Sequence, residues 1–91
     1  MDRRDEESWT TRAADLATES TVIRQVLEVH PVLLTVDELI REIAGEHAEF
    51  AERDAIERAV RDLGGVGLLH HHGELVLPTR AALHFSELLE R

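Results

Sequence analysis

The chain has 91 residues, of which 43% are hydrophobic, and a formal net charge of −9; a chain of this length supports one domain with one modest core. It has no cysteine, which excludes disulfide bonds and thiolate catalysis. Its apolar runs are too short for a membrane span, and its charged amino terminus does not fit a signal peptide. We therefore expect a soluble cytoplasmic protein with no membrane partner, whose acidic surface repels nucleic acid over most of its area.

The amino-terminal residues 1–12 are polar and of mixed charge, with Trp9 as their one large apolar side chain. This segment lacks the periodic apolar positions that would hold it against a core, so we expect a flexible polar arm there and place the folded domain at residues 13–91. A second interpretation stays open, in which Trp9 anchors the segment to the domain or to a dimer partner.

From about Ala13, apolar residues recur at intervals of three and four, a pattern that predicts an amphipathic helix. Pro31 ends this helix, because the residue before a proline avoids the helical conformation. The run Pro31 to Leu34 then predicts a short extended segment. The expected apolar stripe of the first helix consists of Leu16, Val22, Ile23, Val26, Leu27 and His30.

The start of the second helix carries the sharpest local motif in the chain. Thr35 and Glu38 have the spacing of a capping box, in which the Thr35 hydroxyl accepts from the Glu38 amide and the Glu38 carboxylate accepts from the Thr35 amide. Leu34 and Leu39 have the spacing of a hydrophobic staple across the same helix end. Gly45 is expected to end this helix in a left-handed cap.

A third helix is predicted from Glu52 to Leu63, after a connector at residues 46–51. Gly64 and Gly65 are expected to end it, because glycine weakens helices and favours their carboxyl caps. The expected buried face consists of Ile56, Ala59, Val60 and Leu63.

Two short apolar runs, Gly67 to His71 and Glu74 to Leu77, predict a β-hairpin with its turn at His72 and Gly73. Because an isolated hairpin is marginal in water, it needs a further strand, and Leu33 and Leu34 supply one. The prediction is a small three-stranded antiparallel sheet.

Thr79 is placed to cap a last helix over Arg80 to about Glu90, which buries some of its apolar residues (Ala81, Ala82, Phe85, Leu88 and Leu89). The elements in chain order are then helix, strand, helix, helix, two hairpin strands and helix. This order predicts an α+β fold that is mainly α.

The element order and three local motifs resemble the winged helix-turn-helix domains of bacterial transcription regulators, over about residues 14–90. The chain is most similar to the amino-terminal DNA-binding domain of ferric uptake regulators and to short regulators of actinobacteria. The resemblance implies a winged helix that binds double-stranded DNA as a homodimer and regulates transcription. The motifs lie at the start of the second helix, in the middle of the third helix and at the entry into the wing. Their residues are Leu34, Thr35, Glu38, Leu39, Arg58, Gly67 and Leu68.

The resemblance makes the third helix the reading helix, which enters the major groove. Arg53, Arg58 and Arg61 would then contact phosphates or guanine edges. His71 and His72 would contact the nucleic acid from the wing.

The same helix also carries four carboxylates, and two of them stand four residues before an arginine, as in Asp54 with Arg58 and Glu57 with Arg61. Such ion pairs neutralise the charges on the exposed face of a helix, and Asp62 is placed to pair with Arg58 as well. The alternative interpretation is therefore an acidic winged-helix module for protein–protein interaction or dimerisation that does not bind DNA. In either case we expect the first and last helices to form the dimer interface.

Three interpretations of His70, His71 and His72 stay open: polar residues of a wing tip, groups that contact DNA, and a site for metal or pH response. We expect no metal site, because a hairpin tip holds too few ligands in fixed geometry. We expect no cofactor and no enzymatic activity, because the sequence has neither a phosphate-binding glycine loop after a strand nor a nucleophile motif.

Overall fold

A computed structural model of the chain describes the backbone of residues 3–90 and the side-chain surroundings of residues 11–90. Within this range the elements are α1 (Arg3–Val29), β1 (Leu34–Thr35), α2 (Val36–Ala44), α3 (Phe50–Gly65), β2 (Leu69–His72), β3 (Leu75–Pro78) and α4 (Arg80–Leu89). The three strands form one antiparallel sheet. The predicted α+β fold, mainly α and with this element order, is confirmed.

Helix α1 is longer than predicted, because it begins at Arg3 rather than at about Ala13. The segment predicted as a polar arm, residues 1–12, is therefore helical from Arg3 onward. Glutamate and arginine are good helix formers, and extending an existing helix costs little even without a buried face. The side chain of Trp9 lies outside the described surroundings, and the domain boundary after residue 12 stays a prediction.

Among the residues of α1 whose side-chain surroundings are described, those in the core lie in the second half of the helix. Val22 and Val26 are 0% and 1% exposed, whereas Leu16, which was predicted on the same apolar stripe, is 53% exposed. Residues 11–14 are also exposed. His30 lies beyond the end of the helix and is exposed rather than packed at the core edge. A helix of 27 residues is about 40 Å long, so its amino-terminal part reaches past the core.

The core lies where α1, α2, α3 and the inner face of the sheet meet. The predicted buried face of α3 is confirmed, because all four of its residues are at most 4% exposed. In contrast, α4 buries only Ala82 fully, although its sequence carries several large apolar residues. The fully buried apolar residues around the core are Val22, Val26, Leu34, Leu39, Ile40, Ile56, Ala59, Val60, Leu63, Leu69 and Val76.

Helix α3 ends at Gly65, two residues after the predicted last residue Leu63, and includes both Gly64 and Gly65. The left-handed residue is Gly67, with φ +85°. Its amide donates to the Gly64 carbonyl at 3.2 Å, and the Leu68 amide donates to the Leu63 carbonyl at 2.9 Å. These two bonds form a Schellman motif, which satisfies the last carbonyls of α3 and turns the chain into β2.

The strand order in the sheet is β1-β3-β2, so β3 lies between the two other strands. The hairpin turn is at Gly73 and Glu74, one residue later than predicted, and Gly73 adopts φ +62°. A two-residue hairpin turn with positive φ at its first position favours glycine there. The shifted turn pairs His72 with Leu75 and His71 with Val76.

The predicted capping box of α2 is confirmed. The Glu38 amide donates to Thr35 Oγ1 at 3.1 Å, and the Thr35 amide donates to Glu38 Oε1 at 3.4 Å.

We expect Thr35→Ala to lower the free energy of unfolding by about 1 kcal/mol, because it leaves a helix amide without its cap. Thr35→Ser is the control, because serine keeps the capping oxygen. Urea denaturation measures both, and equal losses in the two variants would contradict a capping role for the hydroxyl.

Candidate functional site

A shallow groove opens between α3, the start of α2 and the β2–β3 hairpin, and we call it the α3–hairpin groove. It has a volume of about 390 Å³. It brings together Arg61 and His71, two of the residues that the sequence predicted to contact DNA. The groove is lined by Thr35, Val36, Asp37, Glu57, Arg61, His71, Gly73 and Glu74.

The register of the hairpin decides which histidine lies in the groove. Side chains alternate between the two faces of a strand, and directly paired residues share a face. His71 pairs with Val76, which is 1% exposed and faces the core side of the sheet, toward α3. His70 and His72 therefore lie on the opposite face. His72 was predicted to contact DNA together with His71, but it does not line the groove, and its contact with DNA stays a prediction.

Two of the three candidate arginines of α3 hold ion pairs. Arg53 Nη2 lies 3.1 Å from Asp37 Oδ1 at the start of α2. Arg58 Nε lies 3.2 Å from Asp54 Oδ2, one helical turn earlier, so the predicted Asp54–Arg58 pair is confirmed. Arg58 Nη1 also lies 3.8 Å from Asp15 Oδ1 of α1.

Arg61 differs from these two arginines, because within the described residues it has no ion pair and no hydrogen bond. The predicted pairing of Glu57 with Arg61 is not found in that range, nor is the pairing of Asp62 with Arg58. Arg61 is exposed and lies at the groove beside His71. Of the three candidate arginines of α3, Arg61 is therefore the one that can bind a ligand without first breaking an ion pair.

The three arginines do not form a single basic patch. Arg58 lies on the side of α3 that faces α1, as its contact with Asp15 shows, whereas Arg61 faces the hairpin. Arg53 lies between α3 and the start of α2. The lining of the α3–hairpin groove contains one arginine and three carboxylates, which gives it a formal net charge of −2.

The ion pairs of Arg53 and Arg58 are weak in energetic terms. The four side chains in the Arg53–Asp37 and Arg58–Asp54 pairs are between 44% and 74% exposed. Exposed pairs of this kind contribute between about 0 and 1 kcal/mol. An external anion such as phosphate can therefore replace these carboxylates at little cost.

A second, apolar groove lies between α1 and α4, and we call it the α1–α4 groove. Its volume is about 530 Å³. Phe85, Leu88 and Leu89 were predicted as part of a partly buried face of α4, but they are 57%, 54% and 70% exposed. The groove is lined by Ile23, Arg24, Leu27, Glu28, Leu68, Ala82, Phe85, Ser86, Leu89 and Glu90.

Neither a cluster of metal ligands nor a helix that could cross a membrane is found in the part of the chain that the structure describes. No group of three or more histidine, aspartate or glutamate side chains in that part is arranged to hold a metal ion. None of the helices there combines the length and the apolar character that crossing a membrane requires.

In comparisons with known proteins, no family model matches this chain, and no curated protein or solved structure is significantly similar to it.

Proposed function

We propose that this chain is a winged-helix DNA-binding domain of a transcription regulator. In this arrangement α3 enters the major groove of double-stranded DNA and the β2–β3 hairpin is the wing. The observation that carries the proposal is the α3–hairpin groove, where the exposed face of α3 and the hairpin lie side by side. Arg61 and His71 lie there together, and Arg61 has no partner among the described residues.

The charges of the groove predict weak binding that salt weakens further. Arg61 supplies one phosphate contact, and Arg53 supplies a second when it exchanges Asp37 for phosphate. Each phosphate contact contributes about −0.9 to the slope of log K against log salt concentration, so two contacts give a slope of about −2. Asp37, Glu57 and Glu74 oppose the approach of DNA. We therefore expect binding that is measurable at low salt and largely lost at moderate salt.

The test is fluorescence anisotropy with a labelled duplex of mixed sequence, at about 50 mM and about 200 mM salt and micromolar protein. Arg61→Ala is expected to weaken binding several-fold and to reduce the salt slope by about 1. Arg80→Ala is the matched control, because Arg80 is an exposed arginine at the start of α4 that lines neither groove.

Two outcomes would contradict this proposal. If the unaltered protein shows no binding at about 50 mM salt, DNA binding is wrong, because even non-specific binding appears at low salt. If Arg61→Ala and Arg80→Ala have the same effect, the DNA surface is not the α3–hairpin groove.

A second candidate function is an acidic winged-helix module that binds a basic protein instead of DNA. The observation that favours it is the net charge of −2 on the lining of the groove. Glu57→Gln separates the two functions, because it removes a carboxylate that repels phosphate and attracts arginine. Stronger binding to the duplex supports the DNA reader. Weaker binding to an arginine-rich peptide, without any binding to the duplex, supports the protein module.

A further inference from the structure

We propose that His71 is a proton-dependent DNA contact, so that the α3–hairpin groove binds DNA more tightly as the pH falls from about 8 to about 5. This inference rests on the proposed DNA-binding function and adds its regulation by pH. The observation that carries it is the division of three consecutive histidines between the two faces of the β2–β3 hairpin.

The three histidines of β2 are all exposed, but they do not share one surface. His71 faces α3 and lines the α3–hairpin groove together with Arg61. His70 pairs with Leu77 and His72 follows two residues later, so both lie on the opposite face of the hairpin. Of these three side chains, His71 is therefore the one that changes the charge of the groove when it gains a proton.

The groove brings charged groups to His71 from each of the elements that line it. Glu57 and Arg61 come from α3, Asp37 comes from the first turn of α2, and Glu74 comes from the hairpin turn. Their formal net charge is −2, and one proton on His71 changes it to −1. Of the residue types in this lining, histidine is the one that ordinarily changes charge between pH 5 and 8.

A proton on His71 has two effects on an approaching phosphate. It weakens the repulsion from the three carboxylates, and it places a second cationic donor beside Arg61. The carboxylates compete for the imidazolium, but exposed ion pairs are weak, so phosphate can replace them. Because the protonated form binds DNA more tightly, binding takes up a proton and the affinity rises as the pH falls.

The salt dependence gives this contact a signature of its own. Arg61 and Arg53 supply two phosphate contacts when His71 is neutral, which corresponds to a slope of about −2 for log K against log salt concentration. Protonated His71 adds a third contact, and the slope becomes about −3. A change in overall protein charge alone, without a new contact in the groove, does not depend on which histidine is removed.

The test is fluorescence anisotropy with the duplex of mixed sequence at about pH 5.5 and about pH 7.5, each between about 50 and about 200 mM salt. The unaltered protein is expected to bind several-fold more tightly at the lower pH. His71→Gln is expected to lose this increase and to keep a slope of about −2 at both pH values. His70→Gln is the matched control, because it removes a histidine from the other face of the same strand and changes the total charge equally.

A third variant supplies the charge without the proton. His71→Arg is expected to bind at both pH values about as tightly as the unaltered protein binds at the lower one, and circular dichroism checks that each variant is folded. The inference is wrong, while DNA binding stands, if the unaltered protein binds equally at both pH values or if His71→Gln behaves like His70→Gln. No binding at either pH would overturn this inference and the proposed function together.

Discussion

Leu39→Ala is expected to lower the free energy of unfolding by about 2–5 kcal/mol, the range for a fully buried leucine replaced by alanine. Leu39 is 0% exposed and lies in the core cluster between the helices and the sheet. The substitution removes apolar contacts and leaves a cavity that the surrounding helices fill only in part. A small domain has a total stability of about 5–15 kcal/mol, so this one change removes a large share of it.

Urea denaturation followed by circular dichroism measures the effect, with the slope of the transition expected to stay unchanged. Leu33→Ala is the matched control, because it removes the same atoms from a leucine that is 50% exposed. We expect the control to lose less than half as much stability. If the two variants were equally stable, α2 would not be packed on the core as described.

Thr79→Val is expected to lower the free energy of unfolding by about 1–3 kcal/mol, although valine has nearly the same shape. Thr79 is 8% exposed, and its hydroxyl donates to the Gly67 carbonyl at 2.7 Å and accepts from the Ala82 amide at 3.1 Å. Its own amide donates to the Leu68 carbonyl at 3.1 Å. Valine keeps this last bond but removes both hydroxyl bonds from a largely buried position.

Thr79→Ser is the control for this variant, because serine keeps the hydroxyl and loses only a methyl group, which costs about 1 kcal/mol. Chemical denaturation gives the loss of stability. Hydrogen exchange at the Ala82 amide reports the cap directly, and we expect faster exchange in Thr79→Val than in Thr79→Ser. Equal exchange rates would mean that the hydroxyl does not hold the start of α4.

The hydrogen bonds of Thr79 also connect the α1–α4 groove with the α3–hairpin groove. They tie the start of α4 to the segment that leaves the Schellman motif at Gly67. Leu68, in that segment, lines the α1–α4 groove, and Leu69 begins the strand that carries His71. A loosened α4 is therefore expected to change the α1–α4 groove as well as to weaken the fold.

Features that depend on nearby residues were predictable from the sequence. The capping box joins Thr35 and Glu38, three residues apart, and the pair Asp54–Arg58 spans one helical turn. The buried face of α3 follows from helical periodicity alone. In each case the two partners share one helix or helix end, so their relative position is set by backbone geometry that the sequence pattern already implies.

The end of α3 and the register of the hairpin were not predictable in this way. Gly64, Gly65 and Gly67 can all end a helix; the last residue of α3 is Gly65, and Gly67, with φ +85°, adopts the left-handed conformation that turns the chain toward β2. Likewise, a turn at His72 and Gly73 would pair His71 with Glu74 and Leu69 with Val76, which keeps the faces of the strands but places His72 in the turn. In the observed register Gly73 occupies the first position of the turn, where its φ of +62° favours glycine.

By itself the sequence determined the number and order of the elements and the caps at Thr35 and Thr79, because these follow from local periodicity and from contacts within a few residues. Only the tertiary structure decided which groups remain open to a ligand. Arg53 pairs with Asp37, which is 16 residues away in the chain, whereas Arg61 does not form the pair with Glu57 that its own helix offers. The apolar face of α4 stays exposed for the same reason, since its burial depends on how distant elements pack and not on its own pattern.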